Sequence, residues 1–171
     1  MNMSDMANMS TMAMDLNDFN FDAYLTNDRT LDDPEVIRVE RGGRVKLRII
    51  NASSATTFWI DTGIEGRLVA VDGHRISPLN GNRFGLAMGQ RLDIDLDLPS
   101  ETRTFPILAL REGERERTGL MLAPAGAAVS KMSDLGETSS PAFDIDLSQE
   151  GRFRAINPLS DREGSNSQMI M

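Results

Sequence analysis

The chain has 171 residues, with 26 acidic and 18 basic side chains, a formal net charge of -8, and only 5% aromatic residues. This length supports one domain with a full, mainly aliphatic core. The acidic balance argues against nucleic acid and membranes as partners, and no apolar run reaches the roughly 18–20 residues that span a bilayer. The absence of cysteine excludes disulfides, thiolate metal sites and cysteine nucleophiles.

Composition divides the chain into three zones. Residues 1–20 form a polar, Met-rich segment that we expect to be flexible. Residues 21–125 carry nearly all the strand patterns and are predicted to form the domain. Residues 126–171 contain Ser, Asp, Glu and Gly clusters typical of a linker or tail, with one further strand predicted at Phe143–Leu147. No signal peptide is visible at the polar start of the chain, so we expect any leader to lie upstream.

Hydrophobic residues alternate with period two through the middle zone, which is typical of half-buried strands. In chain order, strands are predicted at Ala23–Asn27, Val36–Val39, Arg44–Ile50, Thr57–Asp61, Leu68–Asp72, Arg83–Ala87, Arg91–Leu98, Phe105–Leu110 and Gly119–Ala123. Turn residues separate them, including those at 42–43 (Gly-Gly), 72–73 (Asp-Gly), 80–82 (Asn-Gly-Asn) and 111–113 (Arg-Glu-Gly). Many short strands at this spacing indicate an antiparallel β-sandwich or barrel.

Two of these strands carry opposite charges on their polar faces. Arg44, Lys46 and Arg48 alternate with apolar residues on one strand, and Asp93, Asp95 and Asp97 do so on the other. Our hypothesis is that the two strands are neighbours and that the basic row faces the acidic row. The alternative is two solvated faces on separate strands.

Several residues at strand ends are predicted to have scaffold roles. Gly42-Gly43 can form a tight hairpin turn that needs positive φ. The Asn51 side chain can satisfy backbone groups where a strand ends. Gln90 and Arg91 are expected to anchor the neighbouring loop by hydrogen bonds.

Six sequence elements follow one another in the order found in a known family. They are Asp22–Asn27, Val39–Asn51, Phe58–Ile60, Val71–Gly73 followed by Pro78, Met88–Asp93, and Arg117–Leu122. Together they resemble the second cupredoxin domain of multicopper oxidases, the laccase-like and copper-resistance oxidases. The resemblance implies an all-β, Greek-key cupredoxin-like β-sandwich of seven or eight strands with irregular N- and C-terminal tails.

The copper ligands of that family are missing. The resemblance implies His-x-His pairs in a first domain and a His-Cys-His segment in a third, and a type 1 copper site needs two His and one Cys. This chain has a single histidine, His74, and no cysteine. His74 is interpreted as a surface turn residue rather than a metal or substrate contact. We therefore predict no catalytic, cofactor-binding or metal residue in this chain, and copper only in a longer parent.

The leading functional hypothesis is a copper-free central structural domain of such an oxidase, with residues 126–171 leading toward a third domain. The resemblance implies that the parent oxidises phenols, amines or Cu(I), reduces oxygen to water, and is periplasmic or extracytoplasmic. The expected partners are the neighbouring cupredoxin domains, and isolated copies are expected to self-associate through surfaces that those domains would cover.

Two other hypotheses remain open. One is a stand-alone module that carries Cu(I) on its N-terminal arm, because thioether sulfur suits that soft ion. The arm contains Met1, Met3, Met6, Met9, Met12 and Met14. A flexible linker, or methionines packed against a partner, explains the same residues. The other is a generic interaction domain that kept the fold and lost the oxidase context.

Overall fold

The structure is a computed structural model that describes residues 19–143 and 147–160. Within these residues the alternating patterns form seven strands: β1 (Val36–Val39), β2 (Arg44–Ile50), β3 (Phe58–Val71), β4 (His74–Leu86), β5 (Arg91–Asp97), β6 (Phe105–Arg111) and β7 (Arg117–Pro124). A short 3₁₀ turn, Glu150–Arg152, follows them. The described residues contain no helix long and apolar enough to cross a membrane.

The strands follow the order β1-β7-β6-β3-β5-β2, and β4 pairs with the remaining edge of β3. The long strand β3 belongs to both halves of the sandwich, because Phe58–Asp61 pairs with β6 whereas 66–71 pairs with β5. All pairings are antiparallel except that of β1 with β7. The curled sheet confirms the predicted all-β sandwich.

The core is aliphatic, as the low aromatic content predicts. Leu92, Ile94 and Leu96 of β5 are all 0% exposed and point inward, while the aspartates between them point outward. They pack with Leu68 of β3 and with core residues from β4, β6 and β7. Period-two alternation therefore decides which face of β5 is buried.

The predicted pairing of the two charged strands is confirmed. β2 and β5 are antiparallel neighbours, and each basic residue of β2 lies opposite an aspartate of β5. Ion pairs join Arg44 to Asp97 (3.1 Å), Lys46 to Asp95 (2.5 Å) and Arg48 to Asp93 (3.6 Å). Arg67 of β3 also donates a hydrogen bond to Asp97 at 2.7 Å, and this bond lowers the pKa of the Asp97 carboxyl. We call these four pairs the charge ladder.

The predicted strand Ala23–Asn27 is wrong. Asn27 and Asp28 have positive φ (49° and 63°), so the chain turns back on itself. Only an isolated bridge between Thr26 and Arg29 forms there. The predicted tail strand Phe143–Leu147 includes residues 144–146, which lie outside the described residues, as do residues 1–18 of the Met-rich segment.

Two further boundaries differ from prediction. The strands predicted at Thr57–Asp61 and Leu68–Asp72 are one continuous strand, β3, which bends at Gly63 (φ 63°) and shifts register between Asp61 and Gly66. The predicted turn at 80–82 lies inside β4, because β4 follows β3 past this bend instead of turning away. Pro78 is tolerated in β4 because β4 is an edge strand.

The turn predictions have mixed outcomes. Gly42 has the expected positive φ (65°), but the turn is not a hairpin, because it joins β1 and β2, which pair with β7 and β5 respectively. Asp72-Gly73 does join paired strands, with positive φ at both residues. The Asn51 prediction is confirmed: its amide donates to the carbonyls of Thr56 (2.9 Å) and Leu86 (3.2 Å). Gln90 accepts a hydrogen bond from the Ala87 amide (3.0 Å), as expected of a loop anchor.

Candidate functional site

The most polar buried part of the domain lies where β6 ends. Arg111 is the last residue of β6 and is 1% exposed, and Glu112 follows it at 6%. Charged side chains are rarely buried to this degree unless they are paired. We call these two residues the β6 junction, because one contacts the chain before β1 and the other the chain after β7.

Arg111 fastens the N-terminal segment, residues 19–24. Its Nη2 donates to Asn20 Oδ1 at 2.7 Å and to the Phe19 carbonyl at 3.3 Å. Its Nη1 lies 3.3 Å from Glu116 Oε1, and its guanidinium carbon lies 5.5 Å from the centre of the Tyr24 ring. A planar guanidinium suits this combination of carboxylate, amide and aromatic neighbours.

Glu112 fastens the C-terminal segment, which we define as residues 133–143 and 147–156. Its Oε1 accepts a hydrogen bond from the Phe143 amide at 2.5 Å. Its Oε2 accepts one from the hydroxyl of Thr57, the residue immediately before β3. The Ser140 hydroxyl donates to the Arg111 carbonyl, so the C-terminal segment contacts both residues of the β6 junction.

An aromatic contact seats the same segment against β3 and β4. The rings of Trp59 and Phe143 meet edge to face, with centroids 4.4 Å apart, and Trp59 Nε1 donates to the Pro141 carbonyl at 2.8 Å. The Phe143 ring lies directly over Gly85: a Cβ added there would be 3.1 Å from Phe143 Cζ. Glycine at 85 therefore makes the space that the ring occupies.

The C-terminal segment also covers the outer edge of β4. The Gln149 amide imitates a paired strand, accepting from the Gly85 N–H (2.8 Å) and donating to its carbonyl (3.0 Å). Further along, the Ser77 amide donates to the Arg154 carbonyl (2.8 Å) and the Ile156 amide to the Arg75 carbonyl (3.1 Å). These bonds occupy parts of an edge that would otherwise be open to pairing with another chain.

Among the described residues, side chains of the types that bind metal ions do not converge, and the methionines weighed as Cu(I) ligands lie outside these residues. His74 is exposed and begins β4, and no group of three or more His, Asp or Glu side chains within residues 19–143 and 147–160 could hold a metal ion. Asp93, Asp95 and Asp97 point outward and are paired in the charge ladder. Without cysteine and with one histidine, the donor set does not fit type 1 copper.

The order and pairing of the strands define a cupredoxin-like β-sandwich. The sequence profile of the family described as multicopper oxidase matches residues 2–131, and the chain belongs to that family. Laccase-2 and Laccase-1 of Thanatephorus cucumeris are 36% and 31% identical over 87 and 86 residues, which is 49% and 48% of this chain. These matches cover only 14% and 15% of those laccases.

Solved structures agree on the fold. Fet3p, a multicopper oxidase that functions in iron import, matches with a TM-score of 0.56 at 14% identity, over 69% of this chain and 24% of its own. A variant of the laccase from Botrytis aclada matches with a TM-score of 0.51 at 18% identity, over 61% of this chain and 21% of its own. The chain therefore corresponds to a part of much longer proteins.

The β6 junction is not predicted by the sequence pattern. Arg-Glu-Gly at 111–113 predicts a turn, and the chain does turn there, with φ of 73° at Gly113. The available signal was that the two charged residues directly follow an apolar strand, Phe105–Leu110. Their partners lie 91 and 31 residues away (Asn20 and Phe143), so local pattern could not identify them.

Proposed function

We propose that this chain is a copper-free connecting domain of a multicopper oxidase, which holds neighbouring copper-bearing domains in place. The observation that carries the proposal is a complete sandwich of the family's type in a chain with one histidine and no cysteine. The His and Cys ligands of oxidase copper sites in such a protein would have to come from outside these 171 residues. Within this chain the residues with a role would be positioning residues rather than catalytic ones.

The geometry at the β6 junction supports a connecting role. A domain that fixes its neighbours must hold its entering and leaving segments in defined positions. Arg111 and Glu112, consecutive and buried, hold the N-terminal and the C-terminal segment respectively. Both segments are therefore fixed at the end of β6, and the C-terminal segment then continues along the edge of β4 as far as Ile156.

Copper loading of the purified chain tests the copper-free assignment. Cu(I) or Cu(II) would be added, the protein dialysed, and bound copper measured together with the visible spectrum. We expect no thiolate-to-copper charge-transfer band, because there is no thiolate. A blue protein with stoichiometric copper would overturn the proposal.

The connecting role has its own test in the reading frame on both sides of this sequence. We expect codons for His-x-His pairs upstream and for a His-Cys-His segment downstream. A start codon at Met1 and a stop after Met171 would instead favour a separate module. If the frame continues as expected, the parent would oxidise phenols, amines or Cu(I) in an extracytoplasmic location, which fractionation of the source cells can check.

A second candidate function rests on the six methionines among the first fourteen residues. They would bind Cu(I) through soft thioether sulfurs and deliver it to copper-bearing domains or partners. Titration of the full chain with Cu(I), beside a variant with these methionines changed to Leu, tests it. Equal weak binding by both would reject this function.

A further inference from the structure

We infer that Arg111 couples the N-terminal segment to the C-terminal segment, so that loosening one loosens the other. The inference extends the proposed connecting role: neighbouring domains attached to the two segments would sense each other through this residue. The coupling itself is a property of this chain alone. It can fail while the copper-free assignment stands, and the reverse is also true.

The first step is that Arg111 contacts both segments. Its guanidinium binds Asn20 and the Phe19 carbonyl on one side, and its backbone carbonyl accepts the Ser140 hydroxyl on the other. Its side chain has little room to move, because it is almost fully buried. We therefore expect a displacement of its side chain to be passed to the backbone carbonyl that accepts the Ser140 hydroxyl.

The second step is that Glu116 repeats this double contact. Its carboxylate pairs with Arg111 Nη1 at 3.3 Å, and its backbone carbonyl accepts the Arg111 N–H at 2.9 Å. The same residue forms an isolated bridge with Leu135 of the C-terminal segment. Displacing Arg111 therefore strains a second attachment of that segment.

The third step is a pair of aromatic contacts at the start of β3. Tyr24 of the N-terminal segment lies under the Arg111 guanidinium and meets Phe58 edge to face, with centroids 5.7 Å apart. The next residue, Trp59, has its side chain on the opposite face of the strand and meets Phe143 of the C-terminal segment. The two segments therefore pack on opposite faces of the same strand end and are linked there through the β3 backbone.

The test perturbs one exposed residue and reads the far segment. Asn20→Ala removes an N-terminal contact to Arg111, and acrylamide quenching of Trp59, the single tryptophan, reports the C-terminal segment. We expect the quenching constant of Trp59 in Asn20→Ala to be about twofold or more above that of the unsubstituted chain, because coupling between residues in contact changes an equilibrium by at least this factor. The matched control is Asp22→Ala, also exposed and in the same segment but without a contact to the β6 junction.

The reverse experiment perturbs the C-terminal segment. Ser140→Ala removes the hydroxyl that binds the Arg111 carbonyl, whereas Ser139→Ala, next to it, removes no such bond. We expect chymotrypsin to cleave after Phe21 or Tyr24 about twofold or more faster in Ser140→Ala, and at the original rate in Ser139→Ala. Cleavage sites are read by mass spectrometry.

A double variant separates coupling from general loosening. In Arg111→Met the link is absent, so adding Asn20→Ala should leave Trp59 quenching unchanged relative to Arg111→Met alone. Urea unfolding of each variant is measured as a control, and Asn20→Ala and Ser140→Ala should unfold at the urea concentration of the unsubstituted chain. Quenching in Asn20→Ala equal to that of Asp22→Ala, or effects that add in the double variant, would overturn the inference.

Discussion

Substituting Gly85 tests how the C-terminal segment is seated. In Gly85→Ala the added Cβ would lie 3.1 Å and 3.2 Å from two Phe143 ring carbons and 3.5 Å from Gln149 Nε2. Carbon atoms prefer separations of about 3.5–4.0 Å, so the ring must move away from Trp59. The backbone at 85 needs no positive φ, so the effect is steric only.

The expected cost follows from the contacts that would be lost. The edge-to-face pair of Trp59 and Phe143 contributes about 0.5–1.5 kcal/mol, and the hydrogen bond from the Phe143 amide to the Glu112 carboxylate about 1.5–3 kcal/mol. The ring sits in a segment at the surface, which can shift partly rather than detach. We therefore expect Gly85→Ala to lose about 1–3 kcal/mol of unfolding free energy, which lowers Tm by about 2–12 °C at this chain length.

The assay combines urea unfolding with the emission spectrum of Trp59. Displacement of Phe143 exposes the indole of Trp59, so the folded variant should emit at a longer wavelength than the unsubstituted chain. The control is Gly151→Ala, in the same segment, where an added Cβ meets nothing within 4 Å. If Gly85→Ala unfolds at the same urea concentration as Gly151→Ala and has the emission maximum of the unsubstituted chain, Phe143 does not depend on the space that Gly85 leaves.

Three further predictions concern the charge ladder and the end of β2. Lys46→Asp should lower the unfolding free energy by about 1–2 kcal/mol, because it removes an attractive cross-strand pair and places two negative charges opposite each other. Adding Asp95→Lys should restore most of this free energy, as measured by urea unfolding. If the double variant shows no recovery, the charge pairing does not stabilise the domain. The hydrogen bond from Arg67 lowers the pKa of Asp97 below its ordinary value of 3.8. At pH values above 3.8 the ionised carboxylate therefore stabilises the folded domain, and this stabilisation is lost as the pH falls through the lower pKa of the folded state. Asp97→Asn should therefore reduce the acid sensitivity of unfolding, and an unchanged pH profile would count against it. Asn51→Ala should lower the unfolding free energy by about 1–3 kcal/mol in urea, because two buried carbonyls lose their donor. The control Asn82→Ala, which changes an exposed side chain, should lower it little.

The sequence could predict features that repeat at short range. The alternation in β2 and β5 fixes which faces are buried, and the opposite charges between them indicate the partner strand. The role of Asn51 could be predicted in part because one of its two acceptors is local: the carbonyl of Thr56 lies five residues away, whereas that of Leu86 is distant in sequence. The family resemblance then supplied the topology that alternation alone cannot give.

What could not be predicted depends on distant partners. β3 continues through Gly63 and Gly66 because β4 pairs with it on both sides of the register shift between Asp61 and Gly66. The local sequence pattern of neither strand indicates this pairing. The buried state of Arg111 and Glu112 likewise depends on residues 19–24 and 140–143, which meet only in the folded domain. Charged residues beside a glycine look like a solvated turn until those partners are known.

The pairing of β1 with β7 has a consequence for synthesis on the ribosome. Residue 36 lies opposite residue 121, so the first strand waits for the last before it gains a partner. Contacts so distant in sequence make folding slow, on the order of milliseconds to seconds. Until β7 has left the exit tunnel, β1 lacks the one strand with which it pairs among the described residues, and we expect the nascent chain to be open to misassociation during that interval.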